Sequence, residues 1–200
     1  LESLIALPET YYTAFGSYLN LKIEEWDRVL VRAATSGVGI AFAKLLKGQF
    51  PNVYLVGSSR SIAKEEQLKE IGFDQVILDK DGVLQTEEQF DKVLDLVGPS
   101  AILDTFSRTA DGGMICSCGL LGGQWTIPDF DPIEMLYRNL YLTTFASGNV
   151  SQSKLQALVD FVERYQVDVR PEKVFSIEQI QDAHAYLESS QSFGKVIVKI

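Results

Sequence analysis

Between residues 28 and 145 short apolar runs alternate with segments of helical period, and this alternation limits the chain to few folds. Residues 28–33 (RVLVRA), 52–56, 75–78, 92–97, 113–118 and 140–145 read as six strands. Segments 37–47, 62–71 and 100–109 read as helices; in the first, Val38, Ala41, Phe42, Leu45 and Leu46 fall on one face. Strands that are apolar at almost every position, rather than at alternate ones, need cover on both faces. Strand and helix in turn at this spacing imply right-handed crossovers and a doubly wound α/β fold on a parallel sheet. In such sheets ligands bind at the carboxyl ends of the strands, where the strand order reverses.

The ends of the chain read differently. Residues 1–22 form a leading segment with a Tyr-rich apolar stretch. Residues 23–170 hold the alternating pattern and close on an amphipathic helix at 154–165, with Leu155, Leu158, Val159 and Val162 on one face. Residues 171–200 read as strand (173–175), helix and strand (195–200), with Ser176 and Gln179 spaced as a capping box. The first Met is Met114, so the sequence reads as a piece of a longer protein.

Composition removes several function classes. Two Cys and one His in 200 residues exclude a disulfide framework and leave almost nothing for a closed zinc site. A net charge of −9 argues against a nucleic-acid footprint. No apolar run approaches the ~20 residues of a membrane span, and no signal sequence opens the chain. The expected location is cytoplasmic, with neither membrane nor nucleic acid as partner.

The turn after the first strand runs Ala33-Ala34-Thr35-Ser36-Gly37-Val38-Gly39 into a helix. Small residues there permit a tight turn, close approach of a pyrophosphate to the backbone, and close helix–strand packing. This is the Rossmann dinucleotide context, with Ala34 and Ser36 in place of two glycines; a ligand-free βα turn is the alternative. The second strand ends in Gly57-Ser58-Ser59-Arg60-Ser61, and no carboxylate lies between Asp27 and Glu65. An NAD site usually places an acid here for the ribose hydroxyls, whereas an NADP site uses Arg. Arg60, Lys64 and the neighbouring hydroxyls read as a cradle for a 2′-phosphate rather than as a solvated turn, which predicts NADP(H).

Six segments in order resemble the medium-chain dehydrogenase/reductases, specifically their NADPH-dependent quinone oxidoreductase-like branch. They are Leu7-Pro8 with Thr13-Ala14-Phe15, Ala33-x-x-Ser36-x-x-Gly39, Gly57-Ser58 through Lys64, Asp95-Leu96-Val97-Gly98, Asp111-Gly112-Gly113-x-Ile115, and Ala183-His184-x-x-Leu187-Glu188 followed by Gly194-Lys195-Val196. Ser36 and Asp111 depart from the family's usual Gly and Pro. The resemblance implies that Ser36, Gly37, Val38 and Gly39 form the pyrophosphate turn, with Val38 and Thr13 beside the nicotinamide. It implies that Ser58, Ser59, Arg60, Ser61 and Lys64 belong to the 2′-phosphate segment. Val97, Gly98, Gly119 and Leu120 would flank the nicotinamide ribose, and Phe145, Ala146 and Ser147 the carboxamide. It further implies an N-terminal lobe that supplies most substrate contacts, with residues 171–200 as the segment returning to it.

The implied activity is hydride transfer from NADPH to a quinone, an enone or a carbonyl compound, without zinc. A zinc-dependent alcohol dehydrogenase of the same superfamily and a nucleotide-binding protein without turnover are the alternatives. No residue presents itself as an acid or base, and none is assigned as catalytic. Cys116 and Cys118 read as core cysteines, His184 as a helical surface residue, and Glu9 as a solvated carboxylate rather than a metal ligand. Arg32 needs the strand-end crevice or a carboxylate if it is buried. The sixth strand, at 140–145, is an edge through which two copies could pair.

Overall fold

The computed structural model describes Ile5, residues 7–189 and residues 191–200; the rest of the leading segment (residues 1–4 and 6) and residue 190 lie outside the described residues. A π turn at Leu7–Tyr11 leads into helix α1, Tyr12–Leu21. Then come strand β1 (Arg28–Arg32), helix α2 (Gly37–Gln49) and strand β2 (Tyr54–Ser59). A 3-10 turn (Ile62–Lys64) and helix α3 (Glu65–Ile71) lead to β3 (Gln75–Lys80) and β4 (Val83–Leu84). Strand β5 (Phe90–Asp95), helix α4 (Ile102–Ser107) and strand β6 (Thr109–Ser117) follow. Helix α5 (Pro132–Met135), strand β7 (Tyr141–Thr143) and helix α6 (Gln152–Arg164) complete the main unit. The last elements are β8 (Lys173–Ser176), a 3-10 turn (Ile177–Gln179), helix α7 (Ile180–Glu188) and β9 (Val196–Lys199).

The main sheet runs β4-β3-β2-β1-β5-β6-β7. All of its pairs are parallel except β3–β4. The expected six-stranded parallel sheet is therefore a seven-stranded one. The extra strand is two residues long and folds back on β3 after Asp81 and Gly82, both at positive φ. A pair of residues carries no periodicity, so β4 leaves no trace in the pattern.

The β1-to-β2 and β2-to-β3 crossovers advance one way, and the chain then passes to the other side of β1. β1 and β5 thus flank the reversal of strand order, with Arg32 opposite Asp95. Helices cover both faces. On one, Phe42, Leu45 and Leu46 of α2 are wholly buried, in one core with residues of α1 and β1. Burial of each such side chain stabilises the fold by about 1.5–3 kcal/mol. On the other, Leu30, Val56, Val93 and Ile115 pack with Ile102 and Phe106 of α4.

β8 and β9 form a separate parallel pair joined through α7. Ser176 and Gln179 make the capping box, with Gln179 Oε1 accepting from the Ser176 amide at 3.1 Å.

Candidate functional site

The site grows from the turn between β1 and α2. Ala33 adopts a left-handed φ of 60°, which turns the chain sharply off β1. Ser36 caps the helix, its Oγ accepting from the Gly39 amide at 3.1 Å. A Cβ on Gly39 would lie 2.7 Å from the Ala34 carbonyl oxygen, so this position holds helix against turn only as glycine. The Val38 amide has no acceptor within the described residues, whereas the Gly37 amide faces the Gly194 carbonyl across the parallel Ser36–Gly194 bridge. An unpaired N–H group at the positive end of a helix dipole suits a phosphate.

The neighbouring strand β2 brings the second half of the expected phosphate site. The five polar side chains there have different fates. Ser58 is fully buried, and its Oγ accepts from the Ala33 amide at 3.3 Å, so it braces the turn rather than facing the groove. Ser59 is buried and accepts from the Ser61 amide at 3.3 Å, while Ser61 caps the 3-10 turn through the Ala63 amide at 3.2 Å. Lys64 donates to the Ser192 carbonyl, and burial together with the charge of Arg60 holds its pKa below the usual lysine range. Arg60 is exposed and makes no hydrogen bond or ion pair with the described residues. It is the cation left uncommitted at the end of β2.

Across the sheet reversal, Asp95 organises the loop after β5. It is fully buried, and its Oδ1 accepts from the Val97 and Gly98 amides, both at 2.9 Å. Burial pushes its pKa up, while the Gly98 amide, the charge of Arg32 and the Thr105 hydroxyl act the other way. Gly98 has φ 85°, and a Cβ there would stand 2.3 Å from the Gly119 carbonyl oxygen; one on Gly119 would stand 2.1 Å from that of Leu96. The loops after β5 and β6 are therefore in backbone contact, and Leu120 beyond them is exposed.

Helix α1 closes this side. The Phe145 ring fills the space a side chain at Gly16 would need, and it meets Tyr12 edge-on at 5.4 Å. Asn20 donates to the Thr144 carbonyl at 2.8 Å and Tyr12 to that of Asn149 at 3.0 Å, which seats the segment holding Ala146 and Ser147 against α1. Thr13 is buried with no hydrogen-bond partner for its Oγ1. A buried hydroxyl is normally paired, so an orphan at a candidate ligand wall fits a polar ligand atom there.

Two features escaped the sequence. Residues 193–194 cross the mouth of the first turn: Gly194 donates to the Thr35 carbonyl at 3.0 Å and bridges Ser36. The Gly194-Lys195 pair was the available signal. The second is the partner set of Arg32, which is fully buried at the end of β1. Its Nη2 donates to Asp79 Oδ2 at 2.6 Å and to the Gly82 carbonyl at 3.0 Å, and its Nη1 to Asp104 Oδ2 at 3.0 Å. Of the alternatives open to Arg32, carboxylates are the answer.

Among the described residues no group of three or more His, Cys, Asp and Glu side chains could hold a metal ion. Cys116 is buried, and its hydrogen bond to Cys118 and its burial push its thiol pKa up; Cys118 Sγ lies 3.3 Å from Ser17 Oγ. His184 is exposed on α7. Among the described residues no helix is long and apolar enough to cross a membrane.

Comparison with known proteins agrees with this architecture. The family model described as zinc-binding dehydrogenase matches residues 71–198. A 2-methylene-furan-3-one reductase of Solanum lycopersicum is 28% identical over 200 residues, covering 96% of this chain and 45% of the reductase. The chain thus spans less than half of that relative. Two solved structures share the fold: Bacillus subtilis yhfP with NAD bound (TM-score 0.81, 21% identity, 100% of this chain and 63% of that one) and Escherichia coli K-12 YhdH with bound NADPH (TM-score 0.77, 18%, 97% and 62%). With the doubly wound sheet, the glycine-rich turn at its switch point and a family match over well more than half its length, the chain belongs to the zinc-binding dehydrogenase family, within the medium-chain dehydrogenase/reductases.

Proposed function

We propose that the chain binds NADPH and presents it for hydride transfer to a quinone, an enone or a related carbonyl compound, without zinc. The observation that carries this reading is the combination of the open Val38 amide in the glycine-rich turn with an uncommitted Arg60 at the end of the adjacent strand. The relatives include a 2-methylene-furan-3-one reductase, and one fold neighbour holds NADPH.

When bound, the cofactor supplies the hydride; the protein supplies binding, orientation and electrostatics. In this reading Val38 donates to the pyrophosphate, with Ser36, Gly37 and Gly39 shaping the turn. Arg60 receives the 2′-phosphate and Lys64 adds charge beside it, while Ser58, Ser59 and Ser61 hold the backbone that aims them. Val97, Gly98, Gly119 and Leu120 wall the ribose of the nicotinamide half. Thr13 offers its unpaired hydroxyl on that side, and Val38, Phe145, Ala146 and Ser147 shield the carboxamide face from water. Residues 171–200 complete a second, substrate-bearing lobe of the longer protein.

Fluorescence titration of the chain with NADPH and NADH tests the cofactor assignment. The expected result is a preference for NADPH on the order of a hundredfold, from about two charge-assisted contacts. Equal affinities overturn the 2′-phosphate reading. Oxidation of NADPH with quinones and enones, measured on the longer protein, separates a reductase from a binding module.

We also propose a homodimer paired through β7. This strand ends the sheet, and its Tyr141 and Leu142 are 61% and 36% exposed. Solution scattering is expected to give twice the chain's mass, and a monomer at high concentration counts against it.

A further inference from the structure

Resting on the NADPH reading, we propose that Thr105 is a positioning residue: aimed by the buried Arg32, it locks Asp95 and through it the Val97–Gly98 wall of the nicotinamide half. The chain of contacts is continuous. Arg32 Nη1 donates to Thr105 Oγ1 at 2.9 Å, and Thr105 Oγ1 lies 3.1 Å from Asp95 Oδ2 as donor. The other oxygen of Asp95 then takes both loop amides.

Directionality comes from proton counting. A threonine hydroxyl has one proton and can accept through its lone pairs. Arg32 has protons and no acceptor, so in its contact with Thr105 the hydroxyl oxygen accepts; the two Nη1 protons are shared among Thr105 Oγ1, the Ala101 carbonyl and Asp104 Oδ2, and the single hydroxyl proton is left for another partner. Two are in range: Asp95 Oδ2 at 3.1 Å and the Ala101 carbonyl at 3.3 Å. Arg32 Nη1 also donates to that carbonyl at 3.0 Å. The carboxylate is nearer and charged, so the proton goes to Asp95. Arg32 is itself fixed by Asp79, Asp104 and Gly82, which leaves it no second orientation. Arg32, Asp95 and Thr105 are all fully buried, so water cannot substitute for a missing donor. Ser107, two residues on, turns to the Asp104 carbonyl instead and takes no part.

The consequence reaches the site because Gly98 has no slack. It sits at positive φ against the Gly119 backbone. Rotation of the Asp95 carboxylate would release two amides at once and shift the loop that faces the nicotinamide ribose, leaving the phosphate end untouched.

The test compares Thr105→Val, which keeps shape and loses the hydroxyl, with Thr105→Ser, which keeps the hydroxyl. Thr105→Val is expected to weaken NADPH binding by about tenfold, the value of one hydrogen bond to a charged group, while 2′,5′-ADP, which lacks the nicotinamide half, binds within about twofold of the unsubstituted chain. Thr105→Ser is expected to restore NADPH binding. In the ligand-free chain, amide exchange at Val97 and Gly98 is expected to speed up in Thr105→Val alone. Equal weakening of both ligands, or unchanged exchange at the two amides, overturns the proposal. The unsubstituted chain gives a reading that needs no variant: the Thr105 hydroxyl proton is expected as a protected NMR signal close to Asp95, and free exchange with water overturns the assignment. If the unsubstituted chain binds neither nucleotide, the NADPH reading fails while the amide and hydroxyl measurements still judge the lock.

Discussion

Replacing Arg60 with aspartate is expected to lower NADPH affinity on the order of a hundredfold and to leave NADH binding almost unchanged, so that any preference for NADPH disappears. Arg60 is exposed, and no acidic side chain bonds to it, so nothing within the described chain competes with a phosphate for its guanidinium. Losing one charge-assisted contact removes about 1.5–3 kcal/mol, and an added carboxylate repels the dianionic phosphate further. The parallel substitution Lys64→Met is expected to do less, because one N–H of the Lys64 ammonium is already held by the Ser192 carbonyl and burial disfavours its charge. Paired titrations with NADPH and NADH measure both variants. An Arg60→Asp chain that still prefers NADPH would sink the assignment, and a larger loss for Lys64→Met would reverse the ranking of the two cations.

The largest stability effect belongs to Arg32. Arg32→Met is expected to destabilise the fold by about 3–5 kcal/mol, since removing one member of a buried ion pair strands the other. Asp79, 7% exposed, would be left with no cation in contact, whereas Asp104 would retain Arg108 at 3.7 Å. Against a total stability of about 5–15 kcal/mol for a domain, such a loss is severe. Adding Asp79→Leu to the first variant is expected to recover part of it, because the stranded carboxylate goes too. Urea unfolding at constant m value reports the difference. A single variant within about 1 kcal/mol of the unsubstituted chain would show that the network contributes no more than a surface pair.

The six parallel strands were legible because each is a short apolar run bounded by glycine, proline or polar clusters, and the helices between them keep one apolar face. Boundaries drifted where tertiary contacts decide. β7 was expected over 140–145 but holds only Tyr141–Thr143, because Thr144 turns its carbonyl to Asn20 and Phe145 packs on Gly16. The segment 62–71 splits into a 3-10 turn and a helix, as Ser61 caps the former. The glycine-rich turn and the Arg60 segment could be read because their chemistry is local. Ser58 looked like a phosphate ligand by position, yet strand pairing turns it inward. Arg32 announced a need for partners without naming them, since Asp79 and Asp104 lie 47 and 72 residues away. The same holds for Lys64, whose partner is 128 residues distant. Spacing along a sequence does not encode such meetings; the sheet order does.

The two borders of the main sheet are unequal, and this sets how copies of the chain can add to one another. At one border β4 offers two residues, turned antiparallel and following Asp79, Lys80 and Asp81, which is a poor template for a further strand. At the other, none of the described residues pairs with the outer side of β7. A sheet that can be extended at one border alone stops growing once two such borders have met, whereas one open at both can go on into a fibre. In the dimer proposed through β7, the short reversed hairpin at β4, whose Leu84 is buried in the core, would leave the assembly at two copies.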